Sequence, residues 1–206
     1  MQPSIGILGG VGAIASARFH LALVEAWAIR HKAEEDADFP LIWHSSRSLG
    51  LDASGLVDPE TTRLFLRWGL EEMSGCDRIA VVCNSIAPIL PNDPRLLTPI
   101  EACREALRGV NRAWLLASDS TVRDQIYQKA YPDIEWKVPS LSMTSWITAL
   151  IGDAFTYRRI EELHLPAGEL IVLGCTDLST RKLPFLCNPV LSPTNEMIRI
   201  LCNTDL

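Results

Sequence analysis

The sequence predicts an α/β fold built on mostly parallel sheet with helices on both faces, and three observations predict it. Short apolar runs alternate with longer amphipathic ones along the chain, the pattern of strand–helix–strand crossover units. Two of the apolar runs end in a cysteine followed by small polar residues, and a third ends in clustered glycines. The 206 residues, 48% hydrophobic and 21% charged, have the composition of a globular chain with enough core for one large unit or two smaller lobes.

Taken in order, the strands are expected at Ser4–Leu8, Pro40–His44, Arg78–Val82, Ala113–Ala117, Ile134–Val138 and Leu170–Leu173, with a short seventh at Pro189–Leu191. Helical spacing fills the intervals at Ala13–Arg30, Pro59–Ser74, Ile100–Arg108, Thr121–Tyr131, Ser142–Arg159 and Pro193–Cys202. Two helix starts carry a chemical signature. Asp58-Pro59 and Ser192-Pro193 each set a capping side chain before a proline at the first helical position, where its missing N–H costs nothing. The stretch APILPNDPRLLTP, with Pro88, Pro91, Pro94 and Pro99, is expected as a hinge between two lobes. The polar stretch DLSTRKLPF is a second crossing point, and two crossings return the last helix to the first lobe. The expected division is an N-terminal lobe of residues 1–95 plus 190–206 and a C-terminal lobe of residues 96–189.

Composition excludes several functions. A formal net charge of −6 without any Lys/Arg cluster argues against nucleic acid as a partner. No apolar run reaches the roughly 18 residues of a membrane-spanning helix. The start MQPSIGILGG lacks the charged and apolar regions of a signal peptide, so a cytoplasmic protein with no membrane partner is expected. Six cysteines, none in a CxxC pair, read as core residues or reactive thiols rather than as disulfides or a structural zinc site. No metal is expected.

Three segments carry chemistry. GILGGVGAIAS, Gly6 to Ser16, ends a strand in glycines that let backbone N–H groups approach an anion at a helix N-terminus. Gly10-x-Gly12-x-x-Ala15 also fits a dinucleotide fingerprint, but the second strand ends in HSSR, without the ribose-binding carboxylate. NAD is therefore disfavoured, and NADP stays open through Arg47. A tight turn with close helix–strand packing would explain the same glycines. The other two segments are VVCNS around Cys83 and LGCTD around Cys175. In a parallel sheet, ligands bind beyond the carboxyl ends of the strands, where both thiols would sit. A helix N-terminus beside each is expected to lower its pKa from about 8.5 to roughly 3.5–7.5.

The repeated design suggests two half-sites facing each other across a cleft. Two opposed thiols suit a two-base reaction at a carbon acid, one removing a proton from one face while the other delivers one to the opposite face. Either cysteine alone would read as a small buried hydrophobe; the matched pair favours chemistry. Cys103 and Cys202 fall on apolar helix faces, and Cys76 and Cys187 lack the strand–thiol–helix context.

GILGGVG at the first strand, CNS at Cys83 and GCTD at Cys175 resemble, in order and spacing, the motifs of the aspartate/glutamate racemase family, particularly its aspartate racemase branch. The closing VLSPTNEMIR resembles the family's final strand and helix, so the likeness spans most of the chain. The resemblance implies two pseudo-symmetric α/β lobes with the active site between them, racemisation of an acidic amino acid without a cofactor, and a homodimer. It makes Cys83 and Cys175 the catalytic pair, and Asn84, Ser85 and Thr176 the residues that hold the substrate carboxylate. Gly9, Gly10 and Gly12 match the first loop, and Arg47 stands in the region of a substrate-binding arginine. Val11, Ala13, Ser85 and Asp177 depart from the family's usual methionine, proline, threonine and glutamate. Lys137, Arg158, Arg159 and Arg181 are candidates for the base that meets a side-chain carboxylate, each also readable as a solvated surface charge. The alternatives are isomerisation or decarboxylation of a small carboxylate, or a binding protein without catalysis on the same fold.

Overall fold

Strand β1 (Ser4–Leu8) and helix α1 (Ala13–His31) open a computed structural model that describes residues 3–10, 12–45, 51–52, 55–56, 58–140, 165–179 and 188–203. β2 (Leu41–Ser45), a hairpin of β3 (Leu51–Asp52) and β4 (Gly55–Leu56), α2 (Pro59–Glu72), β5 (Arg78–Val81) and β6 (Leu96–Leu97) follow. Next come α3 (Pro99–Ala102), β7 (Arg112–Leu116), α4 (Asp119–Arg123), α5 (Ile126–Ala130) and β8 (Glu135–Lys137). β9 (Ile171–Leu173), α6 (Thr176–Ser179), β10 (Val190–Leu191) and α7 (Pro193–Asn203) complete the described elements. The expected helix at Ser142–Arg159 lies outside the described residues.

The strands form two four-stranded sheets, ordered β2-β1-β5-β6 and β10-β9-β7-β8, and every pairing in both is parallel. Alternation along β1 and β5 gives each face of the first sheet its own core. Ile5, Ile7, Ala80 and Val82 meet Phe19, Leu23 and Trp27 of α1 on one face. Leu8, Ile79 and Val81 meet Leu66 of α2 and Met73 on the other. The second sheet packs Ala113, Leu115 and Val172 against Ile100, Cys103, Leu107 and Tyr127.

The two capping signatures form as the sequence predicts. Asp58 Oδ1 accepts from the N–H groups of Glu60 and Thr61 at 3.0 and 3.3 Å, and Ser192 Oγ accepts from the Asn195 N–H at 3.3 Å. A third cap stands at Thr98, whose hydroxyl accepts from the Glu101 N–H at 3.1 Å while the Glu101 carboxylate takes the Thr98 N–H. That helix is short: it passes into turns after Ala102, so the expected helix at 100–108 is only half formed. The expected helix at 121–131 divides into α4 and α5 at Gln125, whose left-handed backbone (φ 53°) redirects the chain so that Ile126 and Tyr127 enter the core.

The proline-rich hinge contains a strand. Leu96 and Leu97 pair with Ile79 and Ala80 of β5 and add an edge to the first sheet. Arg95 fixes this segment, its guanidinium bonded to Asp93 and to the carbonyls of Met73 and Ser74. Val190 and Leu191 pair with β9 in the second sheet. Leu96 and Leu97 thus belong to the first sheet, and Val190 and Leu191 to the second. After β10 the chain returns, and α7 inserts Met197, Ile198 and Leu201 beside Ile5 and Phe19. Among the described residues no helix is long and apolar enough to cross a membrane.

Because Leu201 is fully buried in the first-sheet core, Leu201→Ala should destabilise the fold by about 3 kcal/mol, read from urea denaturation.

Candidate active site

The glycine-, cysteine- and hydroxyl-bearing segments lie at the carboxyl ends of the four central strands, β1 and β5 in one sheet and β9 and β7 in the other. After β1 comes the glycine loop, after β5 Cys83-Asn84-Ser85, after β7 Ser118-Asp119-Ser120-Thr121, and after β9 Gly174-Cys175-Thr176-Asp177. Parallel pairing puts those ends on one edge of each sheet, the edge where ligands bind. Hydrogen bonds then join the edges of the two lobes. Ser85 Oγ meets Ser120 Oγ at 3.1 Å, and Tyr127 Oη donates to Asn84 Oδ1 at 2.9 Å.

Both thiols are buried, and beyond burial the Asp177 charge raises each of them, with the Cys83 charge a smaller addition at Cys175. Burial pushes the Cys83 thiol up to about 11, opposed by the N–H groups of Ile86 and Ser85 and by the Ser85 hydroxyl. Burial pushes Cys175 up to about 12, with the Asp177 charge adding to it and the N–H groups of Leu178 and Asp177 opposing. The expected fall of both thiols toward neutrality is thus corrected. Desolvation outweighs the donors, because α6 is one turn long and Cys83 is followed by a turn and the short 3-10 helix Ala87–Ile89 rather than an α-helix. Burial also raises Cys76, Cys103 and Cys202, but among the described cysteines only the thiols of Cys83 and Cys175 receive backbone N–H groups. All five described cysteines are free thiols.

The glycine loop lies beside Asp177, two residues beyond Cys175. Gly10 and Gly12 hold left-handed φ values of 97° and 78°. A Cβ on Gly12 would stand 2.9 Å from Asp177 Oδ2, so the loop's backbone lies against the carboxylate that follows Cys175 and Thr176. A Cβ on Gly9 would meet Ser16 at 2.6 Å and His44 Nε2 at 3.0 Å. His44 is the penultimate residue of β2 and lies 3.3 Å, Nδ1 to Nδ1, from His20; burial and then the His20 charge hold it below the usual histidine range.

Thr176 is buried beside Cys175, and Asn84 and Ser85 stand beside Cys83. The structure therefore places Gly9, Gly10, Gly12, Cys83, Asn84, Ser85, Cys175 and Thr176 beyond the carboxyl ends of β1, β5 and β9. Arg47, Arg158, Arg159 and Arg181 lie outside the described residues. Lys137 is engaged elsewhere: its Nζ pairs with Glu169 at 2.7 Å and stands over the Trp114 ring. Its charge is thus already compensated, on the edge strand of the second sheet.

Sequence reasoning passed over the hydroxyl cluster after β7. Ser118 Oγ lies 3.0 Å from Ser120 Oγ and 3.2 Å from Thr121 Oγ1, all buried. The signal was present: AWLLA-SDST is an apolar strand followed by small polar residues, the design of VVC-NS without its thiol. His44, near the end of the second strand, was likewise visible as a polar group there.

No family model and no curated protein matches the chain. Solved structures do. An aspartate racemase homologue from Pyrococcus horikoshii OT3 superposes with a TM-score of 0.72 at 21% identity over 98% of this chain and 97% of its own. Picrophilus torridus aspartate racemase gives 0.70 at 19% identity, over 97% and 92% of the two chains. Francisella tularensis glutamate racemase, in complex with D-glutamate, gives 0.56 at 14% identity, over 97% and 79%. The chain has the two-lobed fold of these racemase structures, with two parallel sheets flanked by helices.

Two outcomes follow from the site's geometry. Gly12→Ala combines a left-handed backbone with a contact against Asp177, and should cost about 1–2 kcal/mol in a urea melt. Because the folded thiols bind their protons more tightly than the reference value of 9.0, their contribution to stability is complete below pH 9 and is lost as pH rises toward 11–12. The urea midpoint should therefore fall less between pH 8.5 and 10.5 in Cys83→Ala/Cys175→Ala than in the wild type.

Proposed function

We propose that the protein racemises an acidic amino acid, aspartate or glutamate, with Cys83 and Cys175 as the acid and base on opposite faces of the α-carbon. The observation that carries this reading is the pairing of two buried thiols, one from each lobe, each offered two backbone N–H groups at the carboxyl end of a central parallel strand.

One sulfur, as thiolate, takes the α-proton; the electron pair left on the α-carbon spreads into the carboxylate as an enolate-like charge. Asn84, Ser85 and Thr176 hold that carboxylate, and fixed donors there stabilise the developing charge in a site closed to water. Arg47 adds a cation. The other sulfur, as thiol, returns a proton to the opposite face. Configuration inverts, the two sulfurs exchange protonation states, and the enzyme is left ready for the other enantiomer.

Neutral resting thiols set a requirement. A bare thiolate is costly in this pocket, and the Asp177 charge makes it costlier. The ammonium of a bound amino acid supplies the missing positive charge: seated against Asp177, it cancels the carboxylate and favours ionisation of the nearest sulfur. Substrate binding thus helps to make its own base. The same reading takes a homodimer as the working form, which the native mass in solution decides.

The test is proton NMR of L-aspartate, then L-glutamate, in D₂O with purified protein and nothing added. The α-proton signal should disappear, and Cys83→Ala or Cys175→Ala should abolish turnover by roughly 10²–10⁴-fold or confine exchange to one enantiomer. Intact turnover in both variants would sink the two-thiol mechanism. Since the free-enzyme thiols ionise only near 11 and 12, log kcat/KM should climb by about one per pH unit between pH 7 and 9. A flat profile there would mean that a thiolate already exists at neutral pH.

A further inference from the structure

Tyr127 is fully buried on α5, in the second lobe, and its hydroxyl donates 2.9 Å to Asn84 Oδ1 in the first. Its ring also lies against the other half-site, because a Cβ on Gly174 would stand 3.1 Å from Tyr127 Cε2. One side chain therefore touches the residue after one thiol and the residue before the other. Burial pushes the phenol well above its ordinary range, so its O–H remains a donor across the working pH.

The two ends of an amide are chemically different, one accepting and one donating. Tyr127 occupies the accepting end of Asn84. The donating end, Nδ2, is buried and has no partner within the described protein. A buried N–H₂ with nothing to bond is expensive, and the simplest remedy is a ligand atom that accepts.

We infer that Tyr127 is a positioning residue: by holding Asn84 Oδ1 across the lobe interface, it aims the Asn84 N–H₂ into the cleft and dictates that the ligand group meeting Asn84 is an acceptor. For an amino-acid substrate, that group is the carboxylate, and the ammonium is left to the Asp177 side. The identity of the ligand rests on the racemase reading; the orientation of the amide does not.

Two kinds of measurement separate these. Side-chain ¹H–¹⁵N spectra read the orientation without turnover. The Asn84 N–H₂ pair, identified by its loss in Asn84→Ala, should be well separated and slow to exchange in the wild type, and should move toward free-amide positions in Tyr127→Phe, which keeps the ring and its packing. An unchanged pair in Tyr127→Phe would overturn the inference. Kinetics read the consequence. Tyr127→Phe should lower kcat/KM about tenfold, and should have no further effect in an Asn84→Ala background. Additive losses would mean that Tyr127 acts through general stability instead. Asn84→Asp keeps an acceptor for Tyr127 but turns an anionic oxygen toward the substrate, so kcat/KM should fall about 100-fold or more. Activity retained in Asn84→Asp would place the ammonium there and overturn the orientation. A wild type without turnover on any amino acid would defeat the racemase reading, and the amide spectrum alone would then decide the role of Tyr127.

Discussion

Desolvation of two thiols is the constraint on which the rest of this structure turns. Each sulfur is buried beyond the end of a parallel strand, and water no longer stabilises its charge. Burial raises five cysteines here, yet only two receive backbone N–H groups that work against it. The balance still favours the neutral thiol. A thiol held neutral in this way is protected from oxidation and adventitious reaction, which need the thiolate.

The sheet geometry supplies the other half of that arrangement. Parallel strands all end on the same edge of their sheet, so each of the four central strands ends in a polar or glycine-rich loop, and the loop after β5 is bonded to Ser120 and Tyr127 of the other sheet's unit. Glycine at 9 and 12 leaves the first of these loops without side chains where Ser16, His44 and Asp177 crowd it. The hydroxyls after β7 and the amide after β5 then tie the lobes together through Ser85–Ser120 and Asn84–Tyr127. In both of these bonds the first-lobe partner is Ser85 or Asn84, which follow Cys83 in the chain.

Much of this was legible in the sequence because local rules decided it. Seven strands could be placed within a residue or two, since an apolar run of four or five residues bounded by turn formers has few other fates. Asp58 and Ser192 cap because a short oxygen-bearing side chain before proline has one obvious task. The two-residue strand Leu96–Leu97 was not legible: inside a proline-rich stretch it has no periodicity, and only the open edge of β5 makes it a strand. Gln125 likewise gives no sign of the left-handed turn that splits α4 from α5. That break follows from the need to bury Tyr127, a demand of the core rather than of the local chain.

By itself the sequence determined the alternation of strand and helix, the glycine loop and the two thiols at strand ends, because each depends on neighbours a few positions away. Tertiary structure decided which state those thiols occupy and which groups stand beside them. Solvent exclusion depends on everything packed around a sulfur, and it reversed the low pKa that the local motif implied. Tyr127 and Asn84 are 43 positions apart, and nothing in either segment announces the other. Only the closing of one lobe on the other turns an ordinary core tyrosine into the partner that orients an amide in the cleft.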